Sequence, residues 1–218
     1  VNLINTDKIE LLEENGNLIL NSLDQKIQIQ GQNPEEFPII PQIAQENTLQ
    51  VSIKKLTEGL SQVIDIPSTS QIRPEISGVY FVFKKGKLWL VATDSFRLAE
   101  KTINLENNNS IEGSFIIPQT AGRELLNILN QEEEKINIHL NPNQVLFEIS
   151  ESETFHSKIH LFSRLIEGNY PNYQEIIPKK FTTKLQLERE GFLNQIKKAG
   201  LFSGKTSEVK LSILSNEK

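Results

Sequence analysis

A strand followed directly by a helix opens near positions 49, 115 and 185 of the 218-residue chain, a period of roughly 70 residues that marks a repeated supersecondary unit. The first opening is the short strand Leu49-Gln50-Val51. Ser52 follows as a helix cap, then Ile53, Leu56, Leu60, Val63 and Ile64 at helical spacing, with Pro67 as the stop. Strands are predicted next over residues 78–83 and 87–92, a hairpin around Lys84-Lys85-Gly86, and over 98–105. The second opening repeats that order: a strand over 114–117, a helix over 119–130 with Leu125, Leu126 and Leu129 inward, and strands over 136–140, 144–150 and 157–163. A third begins with a predicted strand over 184–187 and a helix carrying Phe192, Leu193, Ile196 and Ala199.

A strand-helix-strand-strand-strand unit cannot cover both faces of its own sheet. Two copies must therefore pair their antiparallel sheets, with the two helices side by side on one face, which makes the expected class α+β. On this reading residues 46–180 form one complete two-repeat domain and residues 181–218 begin another. Residues 1–45 then end an earlier one: Ile9, Leu11, a polar turn over 13–17, Leu18 to Leu20, Ile27 and Ile29 read as short antiparallel strands. Phe37-Pro38 and Ile40-Pro41 favour extended chain, so 33–46 reads as a linker. The chain starts at Val1 and contains no methionine, so a piece of something longer is expected. The repeat alone leaves open a single α+β domain with coincidental spacing.

Catalysis finds little support in the residue pattern. The absence of cysteine removes disulfides, thiolate nucleophiles and cysteine-ligated metals. His139, His156 and His160 fall on predicted strands without a metal-ligand spacing and read as ordinary surface or half-buried histidines. Glu132-Glu133-Glu134 and the group Glu10, Glu13, Glu14 read as solvated turns. Gly200 to Thr206, GLFSGKT, resembles a nucleotide-binding loop, but three residues separate its glycines where four are needed, and it follows a helix. No catalytic residue, metal or cofactor is expected. No run approaches the ~20 apolar residues that span a bilayer, and no secretory signal opens the chain, so a cytoplasmic protein without a membrane partner is expected.

The segment Leu90 to Glu100, LVATDSFRLAE, places a fixed positive charge beside a small apolar surface. On the residues alone it reads first as a hairpin corner, with Asp94 capping the turn and Arg97 paired to it. Thr93 to Ala99, TDSFRLA, closely resembles the TDGHRLA signature of the bacterial DNA polymerase III β subunit family, the DNA sliding clamps. Leu165 to Pro178, LIEGNYPNYQEIIP, is similar to that family's LI-x-G-x-YP-x-Y-xx-(V/I)-IP stretch, and Arg73 to Val79 matches the stretch before its central hairpin. Three motifs in the right order are far more specific than any one.

The resemblance covers the whole chain and implies the clamp fold and a processivity factor without catalytic residues of its own. It implies a ring that encircles double-stranded DNA, formed in the full-length protein by a homodimer. It also implies a pocket for short hydrophobic peptides, through which the polymerase III catalytic subunit, the clamp loader and other clamp-binding-motif proteins dock. By motif position the pocket would include Arg73, Ile76, Thr93, Ser95, Phe96, Arg97, Leu98, Pro171 and Ile176. Apolar walls would supply energy and the polar groups direction. Ser95 stands where the signature has glycine, Phe96 where it has histidine, and Glu175 where arginine is common, so partner preference is expected to differ. The net charge of −5 opposes nucleic acid unless basic residues gather on the helices that would line the hole. Lys54, Lys55, Arg123, Lys197 and Lys198 are the candidates. No aromatic-studded groove or recognition helix suggests sequence-specific reading of bases. The rival readings are a structural β-rich interaction module and a non-specific DNA-binding protein that forms no ring.

Overall fold

The computed structural model describes residues 8–23, 25–37, 48–68, 72–105, 112–129, 135–149, 159–204 and 208–213. The chain divides into two compact units, Val1–Tyr170 and Pro171–Lys218.

In the first unit, strands β1 (Glu10–Glu14), β2 (Asn17–Asn21) and β3 (Lys26–Gln30) form an antiparallel sheet in that order. The β1–β2 turn is two residues, Asn15 and Gly16, both at positive φ, so it is tighter than the turn over 13–17 expected from polarity. Glu10, Glu13 and Glu14 accordingly lie on a strand. Within the expected linker, Asn33 caps a single 3-10 turn, Pro34–Glu36; residues 38–47 lie outside the described residues.

The repeat is realised as β4 (Thr48–Ser52), α1 (Ile53–Val63), β5 (Gly78–Lys84), β6 (Lys87–Thr93) and β7 (Leu98–Asn104). The second copy is β8 (Gly113–Pro118), α2 (Gln119–Ile128), β9 (Lys135–Asn141), β10 (Gln144–Ile149) and β11 (Ile159–Arg164). Both helices start on the residue after the opening strand. Ser52 caps α1 by accepting from the Lys55 N–H at 3.5 Å. The expected strand over 157–163 begins at Ile159, residues 157 and 158 lying outside the described residues. The same holds for Asn130, Ser150, His156 and Glu132 to Glu134.

Two four-stranded antiparallel sheets result, in the orders β11-β10-β9-β4 and β7-β6-β5-β8. Each holds three consecutive strands of one repeat and the opening strand of the other. Thus β4 pairs with β9 and β8 with β5, an exchange the repeat pattern alone did not reveal. Alternate residues from strands of both four-stranded sheets enter one core: Leu49 and Val51, Val79, Phe81 and Phe83, Leu88 and Leu90, Ile136 and Ile138, Val145 and Phe147. Phe81 stacks on Phe115 at 4.9 Å and meets Phe147 of the other sheet at 6.2 Å, so the aromatic contacts tie the two sheets together.

The helices add Leu56, Leu60 and Val63 from α1 and Leu125 from α2, all fully buried, with Leu129 just beyond; Leu126 is only half-buried. The end of α1 meets the start of α2. The Gln119 side-chain amide donates to the Ile64 carbonyl at 2.7 Å, and a Cβ on Gly122 would lie 2.6 Å from Ile64 Cδ1. A larger residue there would have to push the Ile64 side-chain tip aside.

The second unit contains a 3-10 turn, Tyr173–Glu175, and helix α3 (Arg189–Gly200). Glu188 caps α3, its carboxylate accepting from the N–H groups of Glu190 and Gly191. Those two bonds hold the Glu188 carboxyl below the ordinary glutamate range. Phe192 and Ile196 are half-buried and Leu193 is exposed. The strand expected over 184–187 does not form. No ladder partner for it exists among the described residues, and Leu185 and Leu187 are both 55% exposed. No helix among the described residues is long and apolar enough to cross a membrane.

Candidate functional site

The β6–β7 connection is held by a dense set of side-chain hydrogen bonds. Thr93 and Leu98 pair across the ladder and leave four residues, Asp94 to Arg97, to reverse direction. The buried Thr93 hydroxyl donates to the Arg97 carbonyl at 2.7 Å and accepts from the Ser95 N–H at 3.2 Å. Asp94 Oδ1 accepts from the N–H groups of Phe96 (2.9 Å) and Arg97 (2.7 Å), and Oδ2 takes Nε and Nη2 of Arg97, each at 2.9 Å. Partial burial pushes the Asp94 carboxyl upward, but the two backbone donors and the Arg97 guanidinium outweigh it and hold the group below the ordinary aspartate range. The hairpin corner expected from the residues is present in full. It leaves Phe96 90% exposed on a hydrogen-bonded turn.

A second loop joins this turn. Arg73 precedes the 3-10 turn Pro74–Ile76, gives Nε to Glu75 at 2.9 Å and reaches Ser95 Oγ with Nη1 at 3.4 Å. A backbone N–H and then the Arg73 guanidinium lower the Glu75 carboxyl against slight desolvation. Arg73, Thr93, Ser95, Phe96, Arg97 and Leu98 are therefore brought together at one end of the β7-β6-β5-β8 sheet. Ile76 follows on the same loop, its N–H bonded to the Arg73 carbonyl at 3.2 Å and its side chain buried. Pro171 and Ile176 belong to the second unit, where Pro171 is half-buried and Ile176 is 69% exposed.

Lys54 and Lys55 are exposed on the first turn of α1, and Arg123 is exposed on α2 with its guanidinium 2.7 Å from Asp65. Lys197 and Lys198 close the last turn of α3. Of the acidic and basic groups on these helices, Glu58 is bound by Lys101 at 2.7 Å, a hydrogen bond and charge that lower its carboxyl.

One polar arrangement escaped the reading of the residues. Thr48 Oγ1 lies 2.8 Å from His139 Nδ1, His139 Nε2 lies 2.9 Å from Glu148 Oε2, and Glu148 Oε1 lies 3.3 Å from His160 Nε2. This chain of side chains crosses all four strands of the β11-β10-β9-β4 sheet. His139 is thus fully buried rather than a surface or half-buried histidine, because Glu148 and Thr48 satisfy both its ring nitrogens. The His139 hydrogen bond, with help from His160, holds the Glu148 carboxyl low despite its burial. Cross-strand register was the missing signal: Glu148 sits opposite His160, on the same face as His139. No cluster of three or more metal-ligating side chains with suitable geometry occurs among the described residues.

Comparison with known proteins agrees with this architecture. The family model for the central domain of the DNA polymerase III beta subunit matches residues 50–172. The beta sliding clamp of Staphylococcus aureus strain Mu50 is 32% identical over 196 residues, which is 89% of this chain and 50% of the relative. That of Staphylococcus epidermidis is 31% identical over the same length. The DNA polymerase sliding clamp of Bacillus subtilis superposes with a TM-score of 0.76 at 28% identity, covering 93% of this chain and 52% of that one. The Thermotoga maritima beta subunit gives 0.74 at 26% identity over 88% and 50%. The chain spans about half the length of the relatives it matches. With a family model covering both repeats and their exchanged strands, the chain belongs to the DNA polymerase III β subunit family, the sliding clamps.

Proposed function

We propose that this chain is the central portion of a DNA polymerase processivity factor, a ring that encircles duplex DNA and docks the replicative polymerase and clamp loader through a hydrophobic peptide pocket. Residues 46–180 are then the complete middle domain, 1–45 the end of the first with its linker, and 181–218 the start of the third. The full-length protein closes the ring as a homodimer. It holds DNA by topology and weak contacts from Lys54, Lys55, Arg123, Lys197 and Lys198, which an acidic chain tolerates because sequence-independent phosphate contacts need only local positive charge.

The observation that carries the docking role is the rigid turn Asp94 to Arg97, which presents exposed Phe96 beside Arg97 and Leu98 on a support built from five hydrogen bonds of Thr93 and Asp94 side chains. A pre-organised apolar surface beside fixed polar groups suits a short peptide with apolar anchors, because little ordering entropy remains to be lost on binding. Within the first unit, Ile76 is buried on the neighbouring loop and Arg73 reaches the turn through Ser95. The test is fluorescence anisotropy with a labelled peptide bearing leucine and phenylalanine anchors and a scrambled control. Specific binding, weakened by Arg97→Ala or Leu98→Ala, supports the reading; equal affinity for the scrambled peptide defeats it.

A further inference from the structure

The turn under the docking surface contains one residue in a conformation that its own Cβ disfavours. Ser95 sits at φ 77°, in the left-handed region. Asn15 and Lys85, the other non-glycine residues there among the described ones, each precede a glycine in a two-residue hairpin turn that demands this geometry at both positions. Ser95 sits in a four-residue connection, followed by Phe96, at the position where the resembled signature has glycine, so a side chain there is what calls for a reason. Strain kept at a surface turn points from the outlier towards a role.

The hydroxyl of Ser95 supplies that role. It accepts from Arg73 Nη1 at 3.4 Å, across 22 positions of sequence, and a glycine would offer nothing to accept. Arg73 in turn is held by Glu75 and carries the Ile76 N–H on its carbonyl. Loop 72–77 and turn 94–97 are thereby joined side chain to side chain. Next to the junction lie Ile72 and Phe96, each 90% exposed. Arg73 is paired with Glu75 and Arg97 with Asp94, so the junction carries little net charge, and Ile72 and Phe96 supply its apolar surface while Arg97 keeps exposed donors.

We propose that Ser95 is a positioning residue: acting through Arg73, it latches the two loops together so that Ile72 and Phe96 form one apolar edge for the anchors of a docked peptide. This rests on the peptide-docking role above. The strain is retained because the unstrained alternative, glycine, leaves the latch open.

The test titrates the labelled leucine- and phenylalanine-bearing peptide and its scrambled counterpart into the 218-residue chain and its Ser95→Gly, Ser95→Asn, Arg73→Gln and Arg73→Gln/Ser95→Gly variants, with thermal melts in parallel. Ser95→Gly is expected to raise the melting temperature while weakening the peptide about fivefold, the worth of one ordinary hydrogen bond, as suits a long, exposed contact. Asparagine tolerates the left-handed region and keeps an acceptor, so Ser95→Asn retains affinity. In the Arg73→Gln background, Ser95→Gly costs no further affinity. A purely structural serine would lower stability and affinity together, and that result overturns the latch, as does full affinity in Ser95→Gly. An undiminished effect of Ser95→Gly without Arg73 overturns the route through the arginine. Failure of the unaltered chain to tell the peptide from its scrambled form overturns the docking role itself, a result separable from all the others.

Discussion

Replacing Gly78 by alanine isolates the joint where the second repeat lends its opening strand to the first. Gly78 begins β5 opposite Pro118, and a Cβ there would press into the carbonyl oxygen of Ile117 and lie 2.8 Å from Ile166 Cδ1 and 2.9 Å from Ile116 Cγ2. The two isoleucine tips can swing aside; the carbonyl moves only if the β5–β8 ladder opens. Overpacking of this kind costs about 1–3 kcal/mol, and a ladder bond lost with it about 1 kcal/mol more. Alanine returns about 0.5–1 kcal/mol by restricting the unfolded chain, leaving a net loss of about 1–3.5 kcal/mol. Gly113→Ala is the control. Gly113 lies on β8 opposite Phe83 in the same pairing, yet a Cβ there meets no atom within 4 Å, so that variant should be neutral or gain up to about 1 kcal/mol. Urea unfolding followed by the fluorescence of Trp89, the single tryptophan, half-buried on β6 opposite Val82 of β5, reads the difference. Agreement of the two variants to within about 0.5 kcal/mol would refute the close approach.

Two further perturbations address the polar networks. The folded Glu148 carboxyl titrates below its ordinary 4.5, so the stability it lends is complete above the unfolded value and drains as pH falls through the folded one. Glu148→Gln should therefore be less stable by about 1–3 kcal/mol at neutral pH, with the gap closing as pH falls below the ordinary 4.5; a gap that stays constant as the pH is lowered in urea titrations contradicts the argument. Asp94→Ala removes the acceptor of two backbone N–H groups and of Arg97, and should cost about 1–2 kcal/mol in thermal melts and about tenfold in peptide affinity. Asp94→Asn keeps the backbone acceptor, so a loss as large as that of alanine would show that charge rather than turn geometry is at stake.

Local signals in the sequence proved dependable because their causes lie within a few residues. Ser52 capping α1, the Lys85-Gly86 turn and the Asp94–Arg97 corner all depend on groups no more than four positions apart. Strand pairing does not: alternation in Leu49 and Val51 tells which face is buried, but nothing local names Ile136 and Ile138 as neighbours. The same limit explains residues 184–187, whose alternation is real and whose partner is not among the described residues. At the site, Thr93, Asp94 and Arg97 were legible as a corner. The Arg73–Ser95 contact was not, since it requires both a positive φ and a loop brought from 22 positions away.

The exchanged strands also bear on how such a chain is made. Thr48 on β4 waits for His139 on β9, 91 positions later, before its sheet has a neighbour for that edge. At about 5–20 residues per second, a ribosome needs roughly 5–20 s to deliver that partner. During that interval the apolar side of β4, Leu49 and Val51, has no ladder to join, while α1 beside it can already wind. The first repeat must therefore leave the exit tunnel as an unfinished sheet with an open edge, and it is during synthesis, rather than after it, that this fold is most in need of protection from other chains.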